Sequence, residues 1–269
     1  MRRMIYTSFF LALITAAYMF FPHHLLADIT EKGNGAAAAV KASDPDFKSS
    51  QADIIELFTS QGCYSCPPAE ALMRKLSQSP DIITFEYHVD YWDKLVYGAA
   101  GKWKDPFSSP EATLRQSDYN LQIRNKHRSY TPQAIINGTY EMVGSRPRDI
   151  KEKLGIKPDY KFEITPTIAN QRSLNVAIAG DIPNNAIMTY VQFIKRHVTD
   201  VKSGENKGKK LASYNIVTKW HKMSQFDAKK PTQTQFSLKN EIPTGQGCFI
   251  YLSNPETMEI YGGSFCKKI

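Results

Sequence analysis

The chain has 269 residues, of which 42% are hydrophobic and 22% charged, and a formal net charge of +8. These values exclude a fibrous, disordered or multi-spanning protein and suit one or two globular domains. The lysines between Lys202 and Lys230 form no tight block with interleaved aromatics, so nucleic acid is set aside as a partner.

Met1-Arg2-Arg3 and the apolar run Ser8–Phe21 read as an export signal, since the run falls short of the ~20 residues that span a bilayer. Cleavage is expected after Ala27. The rival reading is an uncleaved anchor, and only then is a membrane a partner. Either way the remainder is expected to be exported, periplasmic or secreted. Residues 28–50 are small and polar and read as a flexible leader.

Structure is expected from residue 51. Ile54 to Phe58 is a mostly apolar strand of the kind buried in a parallel sheet. Pro67 and Pro68 are tolerated only in the first turn of the helix that follows, and Ile82 to Val89 makes a second strand. Strand, helix, strand is a βαβ unit. Residues 90–110 are aromatic and turn-rich, suiting a loop, and Glu111 to Arg124 is helical. Gln133–Ile136 and Thr139–Val143 form a hairpin around Asn137-Gly138, and a short helix from Pro147 to Leu154 closes a domain over residues 51–157.

From residue 158 to 269 the pattern becomes β-rich. Seven short strands are predicted, from Phe162–Thr165 to Ile260–Phe265, with loops of Gly, Asn, Pro and Lys between them. That spacing favours an antiparallel sandwich or barrel.

Cys63-Tyr64-Ser65-Cys66 lies between the first strand and its helix. Unpaired N–H groups and the helix dipole favour an anion there, so Cys63 is expected to be the nucleophile and Cys66 the resolving thiol. Tyr64 and Ser65 tune the pair. A closed zinc site needs four ligands, and no second CxxC or histidine pair follows. Both strands of a βαβ unit end on one sheet edge, so Asp90 and Trp92 are expected beside the dithiol. Thr131-Pro132 stands immediately before the hairpin. Its bond is expected to be cis, with Pro132 removing a competing N–H and Thr131 pairing with an extended substrate.

Phe58-Thr59-Ser60-Gln61-Gly62-Cys63, Cys66-Pro67-Pro68-Ala69, His88-Val89-Asp90-Tyr91-Trp92-Asp93, Lys104-Asp105-Pro106-Phe107 and Tyr130-Thr131-Pro132-Gln133 together resemble an exported bacterial thioredoxin-like family of unassigned function. The resemblance is close over about residues 53–155 and looser at Gly204-Glu205-Asn206 and Tyr214-Asn215-Ile216-Val217. It implies a thioredoxin fold with a CxxC and a cis-proline. The fold class expected is therefore an α/β thioredoxin-like domain followed by an all-β, sandwich-like one. Leu95 to Lys102 are extra to the pattern. Thioredoxins also carry a buried acid beneath the dithiol, but the matching position here is Leu57. Glu56, on the opposite face by strand alternation, or Asp90 is the substitute considered.

Cys248 and Cys266 bracket an expected hairpin, across which two side chains come close enough for a structural disulfide; the alternatives are two independent thiols or a shuttle with Cys63. The leading function is thiol–disulfide exchange with protein thiols or disulfides in the exported compartment. It needs no cofactor beyond the Cys63–Cys66 disulfide, and no metal. The alternatives are a soft-metal carrier, with His88 as third ligand, and a non-enzymatic scaffold that binds through the β-rich part.

Overall fold

The computed structural model describes residues 51–95, 103–223, 232–238 and 241–268. The expected export signal, leader and cleavage position lie outside the described residues, as do residues 96–102 of the extra segment.

The βαβ unit forms as expected. β1 (Asp53–Thr59) and β2 (Ile82–His88) pair in parallel from Asp53↔Ile82 to Thr59↔His88, with α1 (Pro67–Leu76) between them. Pro67 and Pro68 occupy the first turn, where a missing N–H costs nothing. The region expected as loop contains α2 (Tyr91–Leu95), and α3 (Pro110–Arg124) is opened by Ser109, whose hydroxyl accepts from Ala112 N–H. β3 (Gln133–Ile136) runs antiparallel to β1 and turns into β4 (Tyr140–Val143). Asn137 and Gly138 both adopt positive φ, 50° and 69°, which is the two-residue turn the pair signals. α4 (Pro147–Lys151) follows, shorter than the expected helix.

All seven strands predicted after residue 158 are present: β5 (Phe162–Asn170), β6 (Ser173–Gly180), β7 (Ile187–Asp200), β8 (Lys210–Lys222), β9 (Thr232–Ser237), β10 (Gln246–Ser253) and β11 (Ile260–Phe265). A short β12 (Lys267–Lys268) ends the series.

Their assembly overturns the expected fold class. The strands do not divide into a thioredoxin-like α/β domain and a separate all-β one. The order β11-β10-β7-β8-β2-β1-β3-β4 makes one mixed sheet of eight strands, and β12-β5-β6-β9 makes a second of four. Strand dominates, with four helices among the described residues. The seam is β8 lying parallel to β2 at Glu86↔Ile216, where Asn215 (φ 47°) also donates from Nδ2 to Thr84 O at 3.0 Å. Sequence periodicity reports that a segment is a strand. It does not report which open edge the strand will cover, and an uncovered β2 edge would leave backbone groups unpaired.

Three apolar clusters follow from this arrangement. Ile54, Phe58, Phe85 and Tyr87 pack with Tyr119 of α3 and with Val191, Phe193 and Phe249 of the joined strands. Ile55, Leu57, Ala69 and Met73 pack on the α1 side. Leu174, Val176 and Ile178 of the small sheet pack on Met188, Tyr190, Ile250 and Leu252 of the large one. No helix among the described residues is long and apolar enough to cross a membrane.

Cys248 and Cys266 form a disulfide, with Cα atoms 5.3 Å apart and Cys266 N–H bonded to Cys248 O at 2.8 Å. Their separation of 18 closes a loop that should stabilise the fold by roughly 3 kcal/mol. Cys248→Ser with Cys266→Ser is therefore expected to lower the melting temperature by several degrees, read by circular dichroism. A double variant that melts with the parent would remove this bridge from the stability account.

Candidate functional site

Cys63 and Cys66 form the second disulfide, with Cα atoms 5.4 Å apart, where β1 leads into α1. Both residues are fully buried, although Tyr64 between them is 66% exposed. The backbone donors here are largely taken. Cys63 N–H bonds Ser60 O, Cys66 N–H bonds Cys63 O, and Ala69 and Glu70 N–H both bond Cys66 O. Pro67 and Pro68 have no N–H to offer. Ser65 Oγ lies 3.3 Å from Cys63 Sγ.

The cover over the dithiol comes from far along the chain. The loop 201–209, which joins β7 to β8, lies against the CxxC turn. Asn206 is fully buried, and its Nδ2 donates to Gln61 O at 3.0 Å and Cys63 O at 2.8 Å. Glu205 Oε2 accepts from Tyr64 N–H at 2.7 Å. Lys209 Nζ donates to Asn206 Oδ1 at 2.9 Å and stands 4.6 Å from the centroid of the Tyr64 ring. Gln61 Nε2 reaches Thr199 Oγ1 of β7 at 3.0 Å. The Gly204-Glu205-Asn206 run was visible in the sequence, but nothing local joins it to Cys63.

Beneath the turn lies a buried polar cluster. Asp105 Oδ2 accepts from Gln61 N–H at 2.7 Å and sits 2.7 Å from His88 Nδ1. His88 Nε2 is 3.5 Å from Glu86 Oε2. Burial alone would depress the His88 pKa, but the Asp105 carboxylate, through charge and hydrogen bond, pushes it up to about 10. The same pairing holds Asp105 below the ordinary range against the opposing effect of burial. Burial raises Glu86. Glu70, one turn after Cys66 on α1, is 4% exposed and accepts from Thr59 Oγ1 at 2.6 Å. Burial, then the nearby Glu86, raises its pKa to about 8.

The expected supporting residues fall at several places. Glu56 is on the opposite face, in a double hydrogen bond with Arg115 Nε (2.8 Å) and Nη2 (2.9 Å) and bonded to Tyr119 OH. Asp90 Oδ1 accepts from Thr113 Oγ1 of α3 at 2.6 Å. Trp92 Nε1 donates to Thr131 Oγ1 at 2.6 Å and so orients the Thr-Pro element. The Thr131–Pro132 bond is cis. Pro132 is buried, and a Cβ built on Gly144 would meet both Pro132 Cβ (3.5 Å) and Ala69 Cβ (3.4 Å). That brings Pro132 beside the first turn of α1. His88, considered as a soft-metal ligand, is engaged with Asp105 instead.

The carboxyl the sequence reading missed is Glu70. The signal was present: Ala69, Glu70 and Met73 form the buried stripe of α1, and a glutamate on such a stripe is costly unless it is neutral or hydrogen-bonded.

Residues 54–252 match the protein family described as "Protein of unknown function (DUF1223)". The crystal structure of an Agrobacterium tumefaciens protein is similar, at 27% identity and a TM-score of 0.62, over 80% of this chain and 93% of that one. No curated protein matches.

Two raised groups make stability depend on pH with the same sign. Glu70 keeps its proton to about pH 8 when folded but releases it near 4.5 when unfolded, so its contribution is full below 4.5 and is lost as pH rises to about 8. His88 likewise loses its contribution between 6.5 and about 10. Glu70→Gln, which keeps an acceptor for Thr59, is expected to flatten the lower window and spare the upper one. Denaturant melts across that range test this, and an unchanged slope contradicts it.

Proposed function

We propose, for a chain that belongs to the DUF1223 family and takes no activity from that family's description, that Cys63 and Cys66 exchange thiols and disulfides with proteins in an exported compartment. The observation that carries this reading is a closed Cys63–Cys66 pair at a helix start with a buried carboxyl, Glu70, one turn along the same helix. Two disulfides also suit an oxidising compartment.

In the reduced state the Cys63 thiolate attacks one sulfur of a partner disulfide. The partner's second sulfur leaves as a thiolate, and a mixed disulfide forms. Cys66 then loses its proton and attacks Cys63 Sγ, which releases the partner's first sulfur as a thiol and closes Cys63–Cys66. The partner is reduced by two electrons and the dithiol oxidised by two, and the reverse sequence oxidises a partner dithiol. Glu70 takes the Cys66 proton in its ionised form, a form that grows as pH approaches about 8. Pro132 offers no N–H to compete for the partner's backbone. Since neither cysteine is exposed, a partner gains access only when the structure around the pair yields, and the 201–209 loop, bonded to the backbone of the turn, is part of that structure.

Glu205 sets the thiol's acidity in this reading. Its carboxylate takes the Tyr64 N–H, one residue on from Cys63, and brings negative charge to the turn, which opposes thiolate formation there. Glu205→Gln keeps an acceptor and removes the charge, so the Cys63 pKa is expected to fall, as read by ultraviolet thiolate absorbance. No change would count against that role.

The central test is trapping. Cys66→Ser should accumulate mixed disulfides through Cys63 in the exported compartment, and Cys63→Ser should not. Equal yields from the two variants, or none from Cys66→Ser, would sink the exchange reading.

A further inference from the structure

A cleft of about 360 Å³ runs between α1 and the start of β8. It begins at Pro67, the residue after Cys66, and continues along the helix past Arg74 and Lys75 to Gln78. At ~1.5 Å per residue that path is roughly 16 Å long. Lys210 and Tyr214 form the opposite wall. The Tyr214 ring carries two guanidiniums, Arg74 at 5.1 Å and Arg196 at 5.8 Å from its centroid, and Arg196 Nε also donates to Tyr214 OH at 3.3 Å.

The charges in this cleft do not cancel. Among the described residues no carboxylate forms an ion pair with Arg74 or Lys75. Lys210 has Asp200 at 3.8 Å, a pair exposed on both sides and of little strength. Glu70, the acidic side chain lining the cleft, is buried and held protonated at neutral pH. The cleft therefore presents cations along its length with no charged acid of its own.

We propose that this cleft binds an acidic stretch of the protein whose thiol or disulfide is exchanged at Cys63. The inference rests on the exchange reading and adds a substrate class to it. The length argues for a chain over a small anion: an extended peptide at ~3.3 Å per residue fills the cleft with about five residues. Arg74 lies eight positions along α1 from Cys66, roughly 12 Å. Carboxylates roughly three to five positions from the reacting cysteine meet Arg74, Lys75 and Lys210. Arg74, already stacked on Tyr214, is pre-oriented for a carboxylate.

The test compares two peptides of equal length, each with one cysteine, and with glutamates or glutamines at those positions. Serine-for-cysteine versions of both measure binding to the full chain by fluorescence anisotropy, and the cysteine versions, as mixed disulfides with a small thiol, measure exchange. The acidic serine peptide should bind roughly tenfold tighter than the neutral one at low salt. Arg74→Glu with Lys75→Glu should abolish that preference, and raised salt should erase it in the unmodified protein, a check that needs no variant to fold. Equal binding of the two serine peptides overturns the cleft assignment. Preferential binding without any exchange by the cysteine peptides upholds the cleft and overturns the dithiol reading alone.

Discussion

The parallel contact of β8 with β2 is the joint on which the rest of this molecule depends. β2 has β1 on one side, and without β8 its other edge would end the sheet with unpaired backbone groups and with Glu86 and His88 facing water. The Glu86↔Ile216 pairing and the Asn215 side chain on Thr84 O close that edge. The eight-stranded sheet, the burial of the polar cluster and the position of the 201–209 loop all follow. β7 and β8 pair over many residues, so once β8 is seated the loop between them has one place to go.

That placement gives the dithiol two environments. Above it, Asn206 and Glu205 are bonded to the backbone of the CxxC turn, and Lys209 stands over the exposed Tyr64 ring. Below it, Asp105 ties Gln61 to His88, and Glu70 holds Thr59. A buried histidine drawn to a high pKa by one carboxylate, with further carboxyls raised by burial, concentrates exchangeable protons under a pair of sulfurs. Such groups are costly to bury, and their retention on one side of the sheet contrasts with the other side. There Glu56 is fully engaged by Arg115 and Tyr119 and reads as part of the architecture.

Much of the fold was legible locally. The βαβ unit, the Asn137-Gly138 turn, the cis Thr131–Pro132 bond, the seven later strands and the Cys248–Cys266 bridge each depend on residues within one or two neighbouring elements. The cysteine pair and the cis Thr131–Pro132 element were legible too, while Trp92, expected beside the dithiol, is bonded to Thr131. The fold class was not legible, and Glu70, buried and bonded to Thr59, was not among the carboxyls considered near the dithiol. Glu56 was considered as the neighbour of Leu57 and Asp90 from the sheet edge, whereas Glu70 lies on α1, one turn after Cys66.

The amino-acid sequence by itself determined which segments are strands, where the paired cysteines sit and which turn joins β3 to β4. These are decided by hydrophobic period, by proline and glycine backbone limits and by short-range hydrogen bonds. The tertiary structure alone decided that the late strands extend the first sheet, that Glu205 and Asn206 bond the backbone of the CxxC turn, and that Arg74 meets Tyr214 across a cleft. The physical reason is that strand edges are chemically alike. Any edge offers the same N–H and C=O groups, so the choice of partner is made by which assembly buries the most apolar surface while pairing the backbone groups it buries. That balance is struck across residues more than a hundred positions apart, where no local pattern can record it.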